Sequence, residues 1–468
     1  MSDRVLLVVF DGLRPDMIGA GTTPNLHRFA TMGTSFARAR SVFPSETRVC
    51  TATVTTGCLP RRHGLVANQF AHPADRTRRV DTSQMADLAA LQQELGEALL
   101  GAPTLGERLA RAGQDFVVLS SGSTGQSFVL NPGADALGQI TISGHGAGAS
   151  SKAGRAVIAG MDAPPTDPVA RAVWIAELFR VKFLPNPPAA SVLWLCEPDT
   201  SAHYAGLGAP AQMAALHAVD AAFGRIVDDW QAGPQRDRLQ IIVASDHGHA
   251  TISGLRGAAA FMADRLAFAG ATLIPGTSGS IWVPDGDLAQ VSDLAEWLMR
   301  QDWIGCVFAA DGAIPPGALP TSAVLADHHR AAPLIYTMRG DPGPAPSGLL
   351  GTTLYDGNLA VGAGTHGGLS AAELHTVLMM AGSRILPASV SEWPSGLADI
   401  APTILALLDI AGAAEMDGRC LSEAIIGAHG PAIAPAVETW EGAEAGYAQR
   451  LSRTRLGGQV YLDAGIRE

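Results

Sequence analysis

Five short runs of almost unbroken apolar residues restrict this chain more than any other feature. They are VLLVVF (5–10), FVVLS (116–120), SVLWLCE (191–197), LQIIVAS (239–245) and HTVLMMAG (375–382). A strand covered on both faces must be apolar at successive positions, so these read as buried parallel strands. Helical patterns lie between them: TLGERLARAG (104–113), PVARAVWIAELFRV (168–181), APAQMAALHAVDAAFGRIVDDW (209–230) and LADIAPTILALLDI (397–410). The alternation predicts an α/β fold, a doubly wound and mainly parallel central sheet sandwiched by helices. In such sheets the ligand site lies beyond the carboxyl ends of the strands.

From residue 248 to 365 the alternation weakens and Gly and Pro punctuate the chain (ATLIPGTSGSIWVPDGD, RGDPGPAPSGLLG). The expected organisation is a catalytic core over 1–254 and 361–430, an inserted cap lobe over 255–360, and a peripheral Ala/Gly/Glu-rich tail over 431–468. Of the 468 residues 47% are hydrophobic, enough for a large core, and the net charge is −12. No Lys/Arg-rich run is present, which argues against binding of nucleic acid polymers. An acidic chain that handles an anionic substrate needs local positive charge, and a metal can supply it. The five cysteines are scattered and form no CxxC pair, so a reducing compartment is expected. The apolar run at the N-terminus is too short for a signal-peptide core, and no run reaches the roughly 18 residues of a membrane span. The expectation is a cytoplasmic protein with no membrane partner; homo-oligomerisation is left open.

The chemistry-bearing residues sit where strands end. The first run ends in Asp11. The run at 191–197 leads into EPDTSAH, with Asp199 and His203. The run at 239–245 leads into DHGH, with Asp246 and His247. GTHGG offers His366 between glycines. Parallel strands bring their carboxyl ends to one edge, so these groups can converge across hundreds of residues. Three Asp and three His form an O/N donor set suited to Zn²⁺, with Mn²⁺ or Fe²⁺ as alternatives. Six donors exceed one tetrahedral site and divide between two ions. Such a pair, about 3.5–4 Å apart, clamps the attacking and leaving oxygens of a displacement at phosphorus. VFPSETRVCTATVTTG (42–57) supplies hydroxyls, Ser45 and Thr47, near a helix start, where free N–H groups favour an anion. His63, His145, His249, His328 and His329 read as hydrogen-bonded loop residues.

Taken in order, FDGLRPDMI, TPNLHRFATMGTSF, FPSETRVCTATVTTGCLPRRHGLVANQF, EPDTSAHYAG, SDHGH, GTHGG and ADIAPTILALL resemble the alkaline phosphatase superfamily, most closely its nucleotide pyrophosphatase/phosphodiesterase branch. The resemblance implies an alkaline-phosphatase-like sheet with a lobe inserted before the last metal histidine. It implies two Zn²⁺, one held by Asp199, His203 and His366, the other by Asp11, Asp246 and His247 with Thr47 bridging. Thr47, three residues after Pro44, matches the branch's nucleophile, with Ser45 as the competing hydroxyl. Asn68 in GLVANQF matches an Asn that donates to a phosphoryl oxygen. The implied reaction is hydrolysis of a small phosphorylated substrate, a phosphodiester, through a phospho-threonine intermediate.

Two departures bear on the substrate. Monoesterases of the superfamily place two cations after the second strand; the matching positions here are Gly122 and Thr124, and no Lys or Arg falls between Gln114 and Ser151. That favours diesters, because Arg and Lys are the groups that hold a dianion. The branch's base-stacking aromatics are replaced by Arg48 and Cys196, so Arg48 becomes a candidate contact for an anionic substrate group. The alternative expectations are a phosphonate or phosphomonoester hydrolase on the same metals and, with less support, a non-catalytic protein that binds a phosphorylated ligand. SSGSTG lacks the first Gly of GxSxG and does not support a serine hydrolase.

Overall fold

The computed structural model describes residues 3–257, 262–263 and 270–468; positions 258–261 and 264–269 of the expected cap lobe lie outside the described residues. The central sheet has eight strands: β1 (Arg4–Phe10), β2 (Thr34–Phe36), β3 (Phe116–Ser120), β4 (Ile140–Ser143), β5 (Ala190–Leu195), β6 (Leu239–Ala244), β7 (Leu378–Ala381) and β8 (Ser389–Ser391). Their order is β8-β2-β7-β6-β1-β5-β3-β4. The fold is the expected α/β sandwich with a mainly parallel sheet.

Each strand covers both faces by alternation. Val5, Leu7 and Val9 of β1 pack with Val49 and Val54 of the helix Thr47–Thr56 and with Ile400, Ile404 and Leu407 of the helix Ile400–Leu407. Leu6, Val8 and Phe10 pack on the opposite side with Ile175 and Phe179 of Pro168–Lys182 and with Val219, Phe223 and Ile226 of Pro210–Ala232. The period of two in β1 therefore assigns alternate residues to two helical layers. Near-continuous apolarity follows from that double coverage.

One strand departs from the expectation. Residues 375–382 read as another parallel strand, but β7 runs antiparallel to both β6 and β2. The reason is connectivity. The chain reaches β7 from the carboxyl edge of the sheet through the short helix Ala371–Leu374, so it re-enters from the end where β6 leaves. A parallel strand would need a crossover of a dozen or more residues. The edge strands β2 and β8 have three residues each, too few to show a period in sequence.

A small four-stranded sheet links core and insertion. In it Ala250–Leu255 pairs with Leu350–Tyr355 and with Gly364–Thr365. The pairing of Ala250 with Thr365 brings the GTHGG loop against the DHGH segment. Beyond it lies a five-stranded sheet containing Ser278–Trp282, Ile304–Ala309 and Leu334–Met338, backed by the helix Leu288–Met299. Residues Ala436–Glu444, Tyr447–Leu456 and Gln459–Arg467 form an antiparallel sheet. Gln449 bonds the backbone N–H and carbonyl of Val307, and Tyr461 donates to Asp399 Oδ2 at 3.0 Å. This sheet thus bridges the inserted lobe and the core. All five cysteines are unpaired. Among the described residues no helix is long and apolar enough to cross a membrane.

The Tyr461–Asp399 bond is buried at both ends. Tyr461→Phe is expected to lower unfolding free energy by about 1–3 kcal/mol, the usual cost of removing one partner of a buried hydrogen bond. Urea denaturation checks this, and an unchanged midpoint would count against the bridge.

Candidate functional site

The sheet's register assembles the site. Val9 of β1 lies opposite Ala244 of β6, so Asp11 and Asp246, each two residues further on, leave the sheet side by side. Phe10 lies opposite Leu195 of β5, and the helix Asp199–Ala205 starts just beyond; the Asp199 N–H donates to Asp11 O at 3.1 Å. His203 follows Asp199 by four residues and shares its helix face. Gly12 joins the strand ends. Its N–H donates to Asp246 Oδ1 at 3.0 Å, and its carbonyl accepts from His249 Nδ1 at 2.9 Å. It has a φ of +69°, and a Cβ there would stand 2.2 Å from His249 Cε1, so only glycine fits.

Four imidazoles converge, each held through Nδ1 by a backbone carbonyl. His203 Nδ1 donates to Gly364 O (2.7 Å), His247 to Gly248 O (3.1 Å), His249 to Gly12 O (2.9 Å) and His366 to Ser45 O (2.8 Å). Each Nε2 is thereby turned toward carboxylate oxygen. His203, His249 and His366 place Nε2 at 3.2, 3.0 and 3.4 Å from Asp199 Oδ1. His247 Nε2 lies 3.5 Å from Asp11 Oδ1 and 3.4 Å from Asp246 Oδ2. Fixing Nδ1–H on a carbonyl while Nε2 faces the donor cluster is the pattern of metal-ligating histidine.

Asp11 Oδ1 and Asp246 Oδ2 are buried without a hydrogen-bond partner. Their companion oxygens are satisfied: Asp11 Oδ2 accepts from Trp194 Nε1 at 2.9 Å, and Asp246 Oδ1 accepts from the Gly12 and His247 N–H groups. A buried, unpaired carboxylate oxygen is costly unless something positive meets it. Two such atoms facing one His Nε2 fit a divalent cation. Asp11, Asp246 and His247 form one group with donor atoms close enough to share an ion, and Asp199, His247, His249 and His366 form another. The O/N character of both suits Zn²⁺, Mn²⁺ or Fe²⁺.

Electrostatics express the same crowding. Burial, then repulsion by Asp246 and Asp199, pushes the Asp11 carboxyl well above its ordinary range. Burial raises Asp246 to about 7, and lowers His247 to about 3 and His366 well below its usual value. Burial alone would raise Asp199 and lower His203. Their mutual attraction outweighs it, holding Asp199 well below 3.8 and lifting His203 to about 9.

Thr47 is the first residue of the helix Thr47–Thr56, and its Oγ1 lies 3.2 Å from His247 Nε2. The Ser45 hydroxyl is occupied otherwise, donating to Gly368 O and accepting from Gly367 N. Asn68 Oδ1 accepts from the Arg48 N–H at 3.1 Å, and Arg48 Nε contacts Thr82 Oγ1 at 3.4 Å. Asp11, Thr47, Arg48, Asn68, Asp199, His203 and His366 all line one open cavity of about 500 Å³; Asp246 and His247 lie fully buried beneath it.

Four groups at this site were not singled out from sequence. His249, read as an ordinary loop histidine, sits inside the cluster; its only signal was its place two residues after His247. His145, read the same way, and Arg171 both line the cavity, and Tyr204, 81% exposed, stands at its rim beside His203. Arg171 lies on a helix whose pattern gave no sign of a site, and Tyr204 follows the candidate ligand His203 directly without having been singled out. Conversely, His63 is wholly buried against Thr53 and the Leu65 N–H, away from the cluster.

Comparison with known proteins adds the following. The family model for type I phosphodiesterase/nucleotide pyrophosphatase matches residues 5–304. Human ectonucleotide pyrophosphatase/phosphodiesterase family member 7 is 26% identical over 257 residues, 54% of this chain and 50% of that protein. The chain thus matches about half the length of this curated relative. Two solved structures share the fold. Murine ectonucleotide pyrophosphatase/phosphodiesterase 5, as an inactive variant in complex with AMP, superposes with a TM-score of 0.60 at 20% identity, covering 87% of this chain and 96% of that one. Its human counterpart gives 0.60 at 19% identity, covering 90% and 100%.

The raised Asp246 carboxyl has a measurable consequence in metal-free protein. Its folded pKa of about 7 exceeds the ordinary 3.8, so the folded chain binds this proton more tightly than the unfolded chain. That contribution is fully present below the unfolded value and is lost as pH rises through the folded one. Relative to Asp246→Asn, which keeps the acceptor for Gly12, EDTA-treated wild-type protein is therefore expected to lose melting temperature as pH rises between about 5 and 7. A difference between the two proteins that does not change with pH over that range would contradict this assignment.

Proposed function

This chain belongs to the type I phosphodiesterase/nucleotide pyrophosphatase family, and on that footing we propose that it is a two-metal hydrolase that cleaves phosphodiester bonds through a phospho-Thr47 intermediate. The observation that carries this reading is the pair of buried, partnerless oxygens, Asp11 Oδ1 and Asp246 Oδ2, facing His247 Nε2 beside the Thr47 hydroxyl. Asp11, Asp246, His247 and Thr47 would hold one cation, and Asp199, His203 and His366 the other. Zn²⁺ suits the mixed imidazole and carboxylate donors best. When bound, two divalent cations supply the charge that acidifies an alcohol and neutralises the oxygens entering and leaving phosphorus.

The chain's own residues do the rest. The helix start at Thr47 adds partial positive charge where the hydroxyl must lose its proton. Thr47 Oγ1 attacks phosphorus in line; the O–P bond to the leaving alcohol breaks as the new one forms. Water then cleaves the phospho-Thr47 ester and regenerates the hydroxyl. Asn68, fixed through Oδ1 by the Arg48 N–H, keeps its NH₂ for a non-bridging oxygen, a donor preorganised before charge develops. Trp194 and Gln126 hold Asp11 Oδ2, at 2.9 and 3.4 Å, so that Oδ1 faces the site. His249, whose Nδ1 donates to Gly12 O, presents Nε2 to Asp199 Oδ1 at 3.0 Å.

Diesters are favoured because positions 122 and 124 carry no charge to clamp a dianion. A nucleotide-like or aryl ester is supported by Tyr204, an exposed ring at the cavity rim, and by the AMP bound in the murine relative. The five free cysteines support a reducing, cytoplasmic setting.

In zinc-loaded protein Thr47→Ala should cut turnover of bis(p-nitrophenyl) phosphate on the order of a thousandfold or more, as loss of a nucleophile does. Metal content measured by elemental analysis should stay at the wild-type level. Retained turnover at full metal content would end the Thr47 assignment. Faster cleavage of p-nitrophenyl phosphate than of the diester would replace the diester reading by the monoesterase one. Tyr204→Ala should raise KM for thymidine 5′-p-nitrophenyl phosphate by about fivefold or more, the weight of one stacked base. An unchanged KM would remove Tyr204 from substrate recognition.

A further inference from the structure

The cavity above the donor cluster draws positive charge from outside the strand-end loops. Its wall at Ser121–Thr124 carries no cation of its own. A Cβ on Gly122 would stand 1.5 Å from Gln126 Oε1 and 2.6 Å from Cys196 Sγ, so a side chain there would have to displace the Gln126 amide that contacts Asp11. Thr124 is engaged elsewhere: its Oγ1 accepts from the Met85 N–H at 3.2 Å and donates to Ser83 O at 3.3 Å.

Arg171 reaches this wall from the helix Pro168–Lys182. Its stem lies over Gly144, where a Cβ would sit 2.8 Å from Arg171 Cγ and Cδ. Its Nε donates to Ser121 O at 3.0 Å and its Nη1 to Thr166 O at 3.2 Å. Among the described residues no carboxylate pairs with it, although the chain carries 44 acidic side chains. The guanidinium is therefore anchored by two neutral carbonyls and keeps donors in hand at the cavity. The anchor lies close to the reacting centre: Ser121 Oγ accepts from the Cys196 N–H at 2.8 Å, and Cys196 Sγ lies 3.5 Å from Asp11 Oδ2. Across the cavity stands Arg48, joined to Asn68 and Thr82 rather than to an acid.

We propose that Arg171 recognises a second anionic group of the substrate, a phosphate or a carboxylate lying beyond the scissile phosphodiester. This rests on the diester reading above. The scissile group already has Asn68 and the donor cluster. Arg171 is set off from Asp11 by Ser121 and Cys196, so it meets the next charged group along the substrate rather than phosphorus. A pre-oriented guanidinium with unused donors matches a carboxylate or phosphate in two-point geometry, which an ammonium does not.

The test uses zinc-loaded full-length protein and four substrates. Three are p-nitrophenyl phosphodiesters whose other arm is ethyl, carboxyethyl or phosphoethyl; the fourth is p-nitrophenyl phosphate. Wild type should prefer at least one charged arm over ethyl in kcat/KM by about tenfold or more, the scale of a charge-assisted pair. The charged arm preferred distinguishes a carboxylate from a phosphate ligand. Arg171→Met keeps the stem over Gly144 and should erase that preference, losing about tenfold more on the charged arm than on ethyl. Arg171→Lys should retain part of it. Melting temperature checks that both variants fold; if Arg171→Met does not, Arg171→Lys alone must narrow the preference. No preference in wild type would overturn the inference, as would equal losses on all three arms. A larger loss on p-nitrophenyl phosphate would also overturn it, by assigning Arg171 to the transferred group. If wild type cleaves none of the diesters, the diester reading falls, and this inference with it.

Discussion

Crowding of three carboxylates at one sheet edge is the constraint around which the rest of this structure is arranged. Asp11 and Asp246 are buried there, with Asp199 beside them at the cavity floor, and burial together with repulsion drives Asp11 and Asp246 toward the neutral form. Such an arrangement persists only if positive charge is supplied on site. Four imidazoles with Nδ1 committed to backbone carbonyls present Nε2 donors to the same small volume. The packing of His247 against His366, with ring centroids 3.6 Å apart, shows how little space the cluster leaves. The Thr47 hydroxyl stands beside these groups, 3.2 Å from His247 Nε2.

The surrounding fold serves this arrangement through register. Parallel pairing of β1 with β5 and β6 delivers Asp11, Asp199 and Asp246 to one edge. The small sheet that pairs Ala250 with Thr365 returns the chain from the inserted lobe and delivers His366. Gly12 then locks Asp246 and His249 together through its own N–H and carbonyl. Slipping any of these pairings by one residue would turn a carboxylate or imidazole to the wrong face of its strand.

Much of the core was legible because both faces of the sheet are covered. The runs that became β1, β3, β5 and β6 needed no partner to be recognised, since continuous apolarity has few other homes in a folded chain. The direction of β7 was not legible, because its residues look the same run either way and only the approach of the chain decides. β2 and β8 carry no period at three residues each. At the site, Asp11, Asp199, Asp246 and His247 stood out as polar groups abutting strands. His249 did not, because a histidine after a strand is ordinary until its ring is seen between Gly12 and Asp199. Arg171 was hidden more thoroughly: the sequence around the β3 loop holds no cation, and the charge arrives from a helix 50 residues away whose pattern signals only packing.

By itself, then, the amino-acid order determined the layer architecture and the identity of the strand-end donors, because these depend on local apolarity and on residue type, while between the hydroxyls of Ser45 and Thr47 only the family resemblance chose. Tertiary structure alone decided which donors face one another, which oxygens are left without partners, why the Ser45 hydroxyl is tied to Gly367 and Gly368 while that of Thr47 faces His247, and where the cavity finds its second guanidinium. Those are matters of distance between segments hundreds of residues apart. No local pattern encodes such distances; only the pairing register and the packing of the helical layers set them.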